Sequence, residues 1–499
     1  MIWLALRFWT IAEMPSAPDP REALIVQDAL AVLNGGAPQL FNWPGTPWTH
    51  LAALFSWLFQ TADAWRLAGL MRGASLLFGA ACLLFMYQLG RRLGGQSVLA
   101  PLLLALTPSF SAGEANAALV DIPALALGMA AMSCAFSNRP LSSNRAFWVG
   151  ALIGFGMAFK WTAGVYAVPA SVLLLLDDSP RRSKAGALLS AAGGGAVGLL
   201  IGCPYLLMDF PQVWEGLRYE LSHYRAGHFA LFPTAEDGIF SPALRHAEAF
   251  VWAAGPGLAL AFAGVFCISF IPLLGGSLNK QQKRERLALM AWTLTAALSV
   301  ALHHFSFSRH WLLALPPLAL LASAVMGESR RRAAWTALGL AAGHSLLLTA
   351  SLDMQTRLPS TIQRCESWIA ESGLEVSHGP SEPTLIWIYP PGLSSASEAE
   401  AVVAASAEAE LQRAVWERAE HYREADFFPL TRAHFTTGGF HARLAESGEY
   451  RMAARFSAER PAWVRAFLFL GREPPFPHNA LFHPELRVYV RNATGETEP

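Results

Sequence analysis

Charged residues are the scarcest class of side chain in this 499-residue sequence. They make up 15% of it, whereas soluble domains average about 25%. The shortage is regional, because charge is rare up to about residue 351 and ordinary from there to the end. This pattern excludes a chain that is soluble throughout. It predicts an apolar membrane part followed by a soluble tail.

Several other features are missing. Only Cys365 of the five cysteines lies in the tail, so a disulfide-stapled tail is excluded. The tail has no Gly-rich phosphate loop, no Ser-His-Asp set and no metal-ligand spacing. The first apolar segment, residues 2–12, has neither a basic start nor a clear cleavage site. We therefore interpret it as a clipped first spanning helix, whose true start lies upstream, and not as a signal peptide.

Apolar runs near the length of a membrane span fill the first two thirds of the sequence. They cover residues 67–89, 98–110, 124–136, 147–159, 163–176, 185–207, 250–274, 287–302, 311–325 and 335–351. With the first segment they predict a mainly α-helical, polytopic membrane bundle of about eleven spans. We place this domain at residues 1–352.

Basic residues cluster between the predicted spans and give the orientation, because lysine and arginine in short loops stay in the cytoplasm. The clusters lie at residues 91–92, 139–145, 181–184, 280–286 and 330–332. With about eleven spans they all fall on one side. The opposite, extracytoplasmic side then receives two long loops, residues 13–66 and 209–246, and the whole tail.

Polar residues of unusual kind follow the first predicted helix. Asp19, Arg21 and Glu22 precede an amphipathic stretch, a Gly-Gly turn at Gly35 and an aromatic stretch that contains Trp43. Taken alone, the two acids are equally well explained as caps of a helix that begins near Arg21.

Asp121 stands at the outer end of a predicted span and precedes Ile122-Pro123. An ionisable group at that depth is costly and tends to be functional. The alternative is a helix-capping aspartate with proline in the first turn. Lys160 lies between two apolar runs, where it could meet a phosphate as a point charge or extend to the headgroup layer.

Arg309 and His310 precede a Leu-rich helix that contains Pro316-Pro317. They suit a phosphate at the membrane boundary, although an interfacial anchor would look the same. The 209–246 loop adds His223 and His228, five residues apart. We do not assign a metal there, because no carboxylate at helical spacing completes a site.

The order and spacing of these segments resemble the GT-C membrane glycosyltransferases, in the bacterial branch of protein O-mannosyltransferases and aminoarabinose transferases. The resemblance covers about residues 15–317 and is weaker in the tail. It aligns Glu22 with the glutamate of an Asp-Glu pair and Asp121 with the aspartate of an Asp-Val/Ile-Pro motif. Arg21 stands where that family usually has an aspartate, and His310 replaces a tyrosine.

The resemblance implies transfer of a sugar from a polyprenyl-phosphate donor to an extracytoplasmic lipid, glycan or protein. Glu22 and Asp121, with Asp19 in reserve, would be the catalytic carboxylates. Substrate binding would fall to five basic residues: Arg21, Lys160, Arg309, His310 and His228. The rival hypothesis is a catalytically silent relative that serves as a structural or binding subunit. Arg21, Glu114 and the clipped first helix favour it.

The implied partners are a polyprenyl-phosphate-linked sugar, membrane lipids and proteins that dock on the tail, with no nucleic acid. We name no cofactor, and a divalent cation stays open as an alternative. The location would be the bacterial inner membrane. For the tail, residues 353–499, short strand-like runs (384–389, 466–470 and 486–490) alternate with helical patterns (361–372 and 399–421) and predict a small extracytoplasmic α/β domain.

Overall fold

The computed structural model describes most of the first 357 residues and short pieces of the tail. The described residues are 2–13, 20–39, 41, 45–136, 142–226, 241–275, 278–303, 308–328, 332–357, 364, 367–368, 371, 385–388, 450–456 and 486–491. The chain divides into two compact units. The first, the helical unit, contains residues 1–225 and 241–353, and the second contains residues 226–240 and 354–499.

Helices make up nearly all of the described part of the helical unit. In chain order they are α1 (Ile2–Glu13), α2 (Pro20–Leu33), α3 (Thr46–Leu58), α4 (Ala64–Arg92), α5 (Leu99–Ala105), α6 (Asp121–Ala135), α7 (Ser143–Phe159), α8 (Ala167–Leu175), α9 (Arg181–Gly202), α10 (Tyr205–Met208), α11 (Phe210–Ala226), α12 (Ser241–Ala254), α13 (Pro256–Leu274), α14 (Lys280–Ala301), α15 (Leu315–Glu328) and α16 (Arg332–Arg357). A π-helical turn covers Ser109–Gly113, and 3₁₀ turns cover Glu114–Asn116, Trp161–Tyr166 and Ser308–Leu313.

Among the described residues, four helical stretches are long and apolar enough to cross a membrane: Arg66–Arg92, Arg181–Gly202, Pro256–Leu274 and Arg332–Asp353. Asp121–Ala135, Trp161–Leu175 and Leu315–Glu328 are apolar but shorter. The mainly helical fold, with helices compatible with a membrane bundle, is therefore as predicted. The number of about eleven spans stays a prediction.

The apolar run at residues 250–274 is not one helix, which corrects the sequence-based boundary. The chain breaks between α12 and α13 at Gly255, whose φ of 83° is a left-handed value that favours glycine. Pro256 then takes the first position of α13, where its missing N–H costs nothing. Only the part from Pro256 onward has the length and composition of a span.

Glycines let α7 and α9 pack backbone against backbone. A Cβ atom added at Gly154 would lie 2.0 Å from the carbonyl oxygen of Gly195, and one added at Gly198 would lie 2.1 Å from that of Ala151. Such close approach of two membrane helices is typical of small residues at matching positions. Because α7 ends next to Lys160, this contact helps to set the position of that lysine.

The helical unit has two distinct ends, which we name the Asp121 end and the Arg92 end. Asp121 begins α6, and the Arg92 guanidinium donates a hydrogen bond to the carbonyl oxygen of Phe136, just after α6 ends, at 3.1 Å. Fifteen residues of helix separate the two ends by about 21 Å.

Other basic residues lie at the Arg92 end. The loop after α4 is bonded to α15, since Ser323 Oγ donates to the carbonyl oxygen of Gln96 at 2.8 Å. Arg286 then pairs with Glu328, the last residue of α15, at 2.7 Å. Nearby in α14, Lys280 forms an ion pair with Asp178. That hydrogen bond lowers the pKa of the exposed Asp178 carboxyl below its usual value.

The second unit contains a three-stranded antiparallel sheet. Its strands are β1 (Leu385–Ile388), β2 (Tyr450–Phe456) and β3 (Leu486–Arg491), in the order β1-β3-β2. Two of the predicted strand runs, 384–389 and 486–490, are therefore confirmed. The run at 466–470 and the helical pattern at 399–421 lie outside the described residues, so the α/β domain stays a prediction.

Candidate functional site

Asp121 and Lys160 form an ion pair where α6 begins and α7 ends. Lys160 Nζ lies 2.5 Å from Asp121 Oδ1, and the two side chains are only 13% and 9% exposed, respectively. Asp121 occupies the first turn of α6, where the helix dipole favours negative charge. Lys160 has extended backbone geometry that terminates α7. Largely desolvated opposite charges at the ends of apolar helices tend to be functional.

The start of α3 holds the two chain segments that carry this pair. The Gly45 N–H donates to the carbonyl oxygen of Phe159 at 3.2 Å, one residue before Lys160. The indole N–H of Trp48 donates to the carbonyl oxygen of Ala118 at 2.9 Å, three residues before Asp121. Trp48 is completely buried. The positions of both charged residues are thus linked through one short helix.

Glu22 lies in the first turn of α2 and binds a residue that the sequence analysis did not select. Its Oε1 and Oε2 accept hydrogen bonds from Arg72 Nε and Nη2 at 3.0 and 2.6 Å. Oε1 also accepts the backbone N–H of Ala118 at 2.6 Å. Glu22 is 1% exposed and Arg72 is 4% exposed. Such a forked pair between a guanidinium and a carboxylate is strong and directional.

In this arrangement Glu22 holds the buried segment that leads from Ala118 to Asp121. It is neither a simple helix cap nor a solvent-exposed carboxylate. Its role as a base stays a prediction, and the observed contacts give it a positioning role as well.

Three of the predicted site residues have no described side chain. Asp19 and His228 lie outside the described residues, and for Arg21 only its place in α2, directly before Glu22, is described. The predicted histidine pair His223 and His228 is likewise outside the described side chains.

Arg309 and His310 lie on the 3₁₀ turn at Ser308–Leu313, which packs against α6 and against the π-helical turn. The His310 ring is 5.8 Å from that of His303, centroid to centroid. The carbonyl oxygen of His303 is in turn 2.9 Å from Nε2 of His246. The structure thus places His310 beside His303, and both predicted residues lie on a turn near the segment that leads to Asp121.

A third buried ion pair lies at the Asp121 end. Arg7 of α1 binds both carboxylate oxygens of Asp353, and it donates to the carbonyl oxygen of Ser111 at 3.0 Å. Asn116 Nδ2 is 3.4 Å from Asp353 Oδ1. Asp353, expected as the first residue of the tail, is thus a buried residue of α16 in the helical unit. It helps to hold the turns that precede Asp121.

Arg7 and Arg72 are the residues that sequence reasoning missed. Both are arginines inside otherwise apolar helical segments. Because an unpaired charge is expensive in that setting, a search for isolated arginines in predicted spans would have found both. Their acidic partners, however, are distant in sequence.

The described residues contain no group of three or more His, Cys, Asp or Glu side chains that could hold a metal ion.

Residues 44–207 match a family model described as dolichyl-phosphate-mannose-protein mannosyltransferase. The matched interval contains both Asp121 and Lys160. The GT-C glycosyltransferase resemblance of this part of the chain is therefore confirmed. No curated protein matches the chain by sequence.

Several solved structures are similar to the chain. ArnT from Cupriavidus metallidurans, bound to undecaprenyl phosphate, has 14% identity and a TM-score of 0.49, over 74% of this chain and 71% of that one. The apo oligosaccharyltransferase of Archaeoglobus fulgidus has 13% identity and a TM-score of 0.44, over 74% and 57%. The arabinofuranosyltransferase AftD from mycobacteria has 13% identity and a TM-score of 0.43, over 99% and 40%. The chain thus spans only part of the length of each of them.

Proposed function

We propose that the chain is a membrane glycosyltransferase that uses a polyprenyl-phosphate sugar as donor. Its residues 44–207 match the mannosyltransferase family model described above. The observation that carries this proposal is the ion pair between Asp121 and Lys160 at 2.5 Å. The pair lies inside the family-matched interval. Such a transfer requires a cation beside the donor phosphate and a base beside the acceptor, and the pair provides an ammonium group and a carboxylate.

The donor carries a negatively charged phosphate next to the anomeric carbon of the sugar. During transfer the bond from the anomeric carbon to the phosphate oxygen breaks, and the polyprenyl phosphate leaves with the electron pair. The acceptor hydroxyl or amine forms the new bond and gives up a proton. Lys160 would stabilise the charge that grows on the phosphate, and Asp121 would accept the proton.

The ion pair itself suggests how the two roles are coupled. Without donor, Lys160 compensates Asp121, and each reduces the cost of burying the other. A donor phosphate near Lys160 would share the ammonium group and loosen its contact with Asp121. The carboxylate would then be available to take a proton when the donor is bound.

We assign supporting roles to the other predicted residues. Glu22, through Ala118, holds the segment before Asp121, with Asp19 as a second acid of the same loop. Arg21, Arg309, His310 and His228 are proposed to attract the donor phosphate. Arg21 cannot be a base, since its guanidinium keeps its proton. Because Arg21 is proposed to attract the donor phosphate, the substitution Arg21→Asp is expected to weaken donor binding.

We further propose that this site faces the extracytoplasmic side of the bacterial inner membrane. The support is that Arg92, Lys280 and Arg286 lie at the opposite end of the helical unit, where the positive-inside rule predicts the cytoplasm. The tail would then also be extracytoplasmic. A reporter enzyme that works only in the cytoplasm, fused after Pro499, should be inactive. Reporter activity would overturn the orientation.

The function is tested by incubating purified protein with a panel of polyprenyl-phosphate sugars and membrane acceptors. Transfer by the wild type that is lost in Asp121→Asn is the expected result. Asp178→Asn is the matched control, since Asp178 is also paired with a lysine but lies at the Arg92 end. If the wild type transfers none of the sugars yet binds polyprenyl phosphate, the silent-subunit hypothesis replaces this one.

A further inference from the structure

Helix α11 presents an exposed apolar stripe. Phe210, Trp214 and Leu221 are 54%, 51% and 53% exposed. The first two rings are stacked, with centroids 6.2 Å apart and planes 17° apart. At 3.6 residues per turn the three side chains lie within about 40° of one another around the helix axis. They form one continuous surface that lies open on the described part of the chain.

A polar stripe lies directly beside it. Glu215, Arg218 and Ser222 are also exposed, and helical spacing puts them on the neighbouring side of α11. Val213, on the other flank, is 1% exposed and packs into a cluster with Phe41, Ala158 and Cys203. The open side of α11 is thus divided lengthwise into an apolar half and a charged half, as in helices that lie along a membrane surface.

Exposed apolar residues also lie on the two helices that precede α11 in the chain. Leu189, Val197 and Ile201 of α9 are exposed, and α9 has the length and composition of a span. The chain then passes through α10, where Leu207 and Met208 are 76% and 74% exposed, and enters α11.

We propose that α11 lies in the membrane–water interface, with Phe210, Trp214 and Leu221 on the lipid acyl chains and Glu215 and Ser222 in water. The occupant of the stripe is therefore the phospholipid bilayer. Arg218, at the border of the two stripes, would reach the lipid phosphates with its guanidinium while its stem stays among the apolar groups. An amphipathic helix next to the end of a span can lie flat in this layer because both halves of its open surface are satisfied there.

The interfacial position of α11 links the lipid surface to the candidate site. Val213 of α11 shares its cluster with Ala158, two residues before Lys160. The amide of Gln212 Nε2 donates to Oε1 of Gln39 at 2.9 Å, close to Phe41 of the same cluster. A displacement of α11 would therefore be transmitted to the end of α7.

The test uses single spin labels on the full chain in phospholipid nanodiscs. The parent variant has serine in place of every cysteine except the buried Cys82 and Cys203. Labels are attached after the substitutions Phe210→Cys, Trp214→Cys and Leu221→Cys on the apolar stripe, and Glu215→Cys and Ser222→Cys on the polar one. Ile201→Cys on α9 and Lys280→Cys at the Arg92 end serve as references for lipid and water.

Oxygen concentrates in the bilayer and a neutral nickel chelate stays in water, so each relaxes the labels that share its phase. We expect the ratio of oxygen to nickel relaxation to be severalfold higher at the three apolar positions than at Glu215→Cys and Ser222→Cys. Nickel dominance at all five positions would show a helix in water and overturn the proposal. Exclusion of both reagents from the apolar positions would show that the tail or a second copy covers the stripe, which also overturns it.

A second measurement defines the depth. A small fluorophore at Trp214→Cys is quenched by lipids that carry a nitroxide either near the headgroup or at the end of the acyl chain. Stronger quenching by the probe near the headgroup is expected. Stronger quenching by the chain-end probe would mean that α11 is inserted across the bilayer, which would contradict an interfacial position. Neither measurement depends on sugar transfer.

Discussion

Glu22 and Arg72 form a forked ion pair inside the helical unit, with contacts of 3.0 and 2.6 Å, although 50 positions separate them in sequence. The same carboxylate accepts the N–H of Ala118. Helix α2, the long helix α4 and the segment before Asp121 are therefore joined at one carboxylate. Its removal should affect both stability and the site.

The first prediction concerns the charge that is left behind. In Glu22→Gln the buried guanidinium of Arg72 loses the carboxylate that it binds through two contacts, so we expect a loss of about 3–5 kcal/mol in the free energy of unfolding. Denaturant unfolding in detergent micelles measures it. Unfolding identical to that of the wild type would contradict the structural importance of the pair.

The double variant Glu22→Leu/Arg72→Met tests whether Glu22 is required as a base. It replaces both charges with apolar groups of similar size, which is often tolerated, and it should recover most of the lost stability. Sugar transfer by this variant would show that Glu22 is not the base. If it is stable and binds donor but is inactive, Glu22 is required for transfer, either as a base or through its contact with Ala118.

Sequence reasoning selected both members of the Asp121–Lys160 pair, because charges at the ends of apolar runs are visible in a sequence. It assigned them separate tasks, since nothing in the sequence says that residues 39 positions apart meet. Arg72 and Arg7 escaped notice for a related reason. These arginines lie within helices, and only their contacts with distant partners show what they do.

The helices also differ in how well the sequence predicts them. The run at 67–89 predicted α4 well because composition and helix agree there. The run at 250–274 contains Gly255-Pro256, a helix-breaking signal that its uniform hydropathy concealed. The close contact between α7 and α9 depends on glycines that face each other, and a single sequence does not pair them.

The second prediction concerns donor binding. Lys160→Gln removes the proposed phosphate partner, and it also removes the ion pair between Lys160 and Asp121. We expect the affinity for a polyprenyl phosphate to fall by at least about tenfold, equivalent to about 1.4 kcal/mol. Titration monitored by native mass spectrometry measures it. Lys280→Gln, which removes an exposed lysine at the Arg92 end, should bind like the wild type. Equal affinity of Lys160→Gln and wild type would exclude Lys160 from the phosphate site.

The third prediction separates binding from turnover at the partner residue. Asp121→Asn leaves the Lys160 ammonium without its carboxylate, so a lipid phosphate no longer competes with a protein anion. Affinity for polyprenyl phosphate should rise or stay equal, while sugar transfer is lost. Parallel loss of binding and transfer would argue that Asp121 supports the fold of the site and not the chemistry.

The fourth prediction tests the packing of α7 on α9. Gly154→Ala places a methyl group 2.0 Å from the carbonyl oxygen of Gly195, so the helices must move apart, at a cost of about 1–3 kcal/mol or more. Gly193→Ala is the matched control on α9, because nothing lies within 4 Å of its added carbon. It should leave stability unchanged or raise it by up to about 1 kcal/mol. Thermal unfolding of both variants in the same detergent gives the comparison.

The last prediction concerns Arg7 and Asp353, which join the first helix of the unit to its last. Arg7→Met leaves a buried carboxylate and Asp353→Leu leaves a buried guanidinium, so each should lower the free energy of unfolding by about 3–5 kcal/mol. The double variant should be close to the wild type in stability, because no buried charge remains unpaired.

The activity of the double variant Arg7→Met/Asp353→Leu shows whether the pair positions the turns before Asp121 or only joins α1 to α16. Arg7 also holds the carbonyl oxygen of Ser111, and Asp353 contacts Asn116, so both act on the turns that precede Asp121. If the pair positions those turns, the stable double variant should show a lower kcat with little change in donor affinity, since Lys160 is untouched. A double variant with wild-type stability and wild-type kcat would limit the pair to joining α1 and α16. Single variants as stable as the wild type would contradict the buried pair itself.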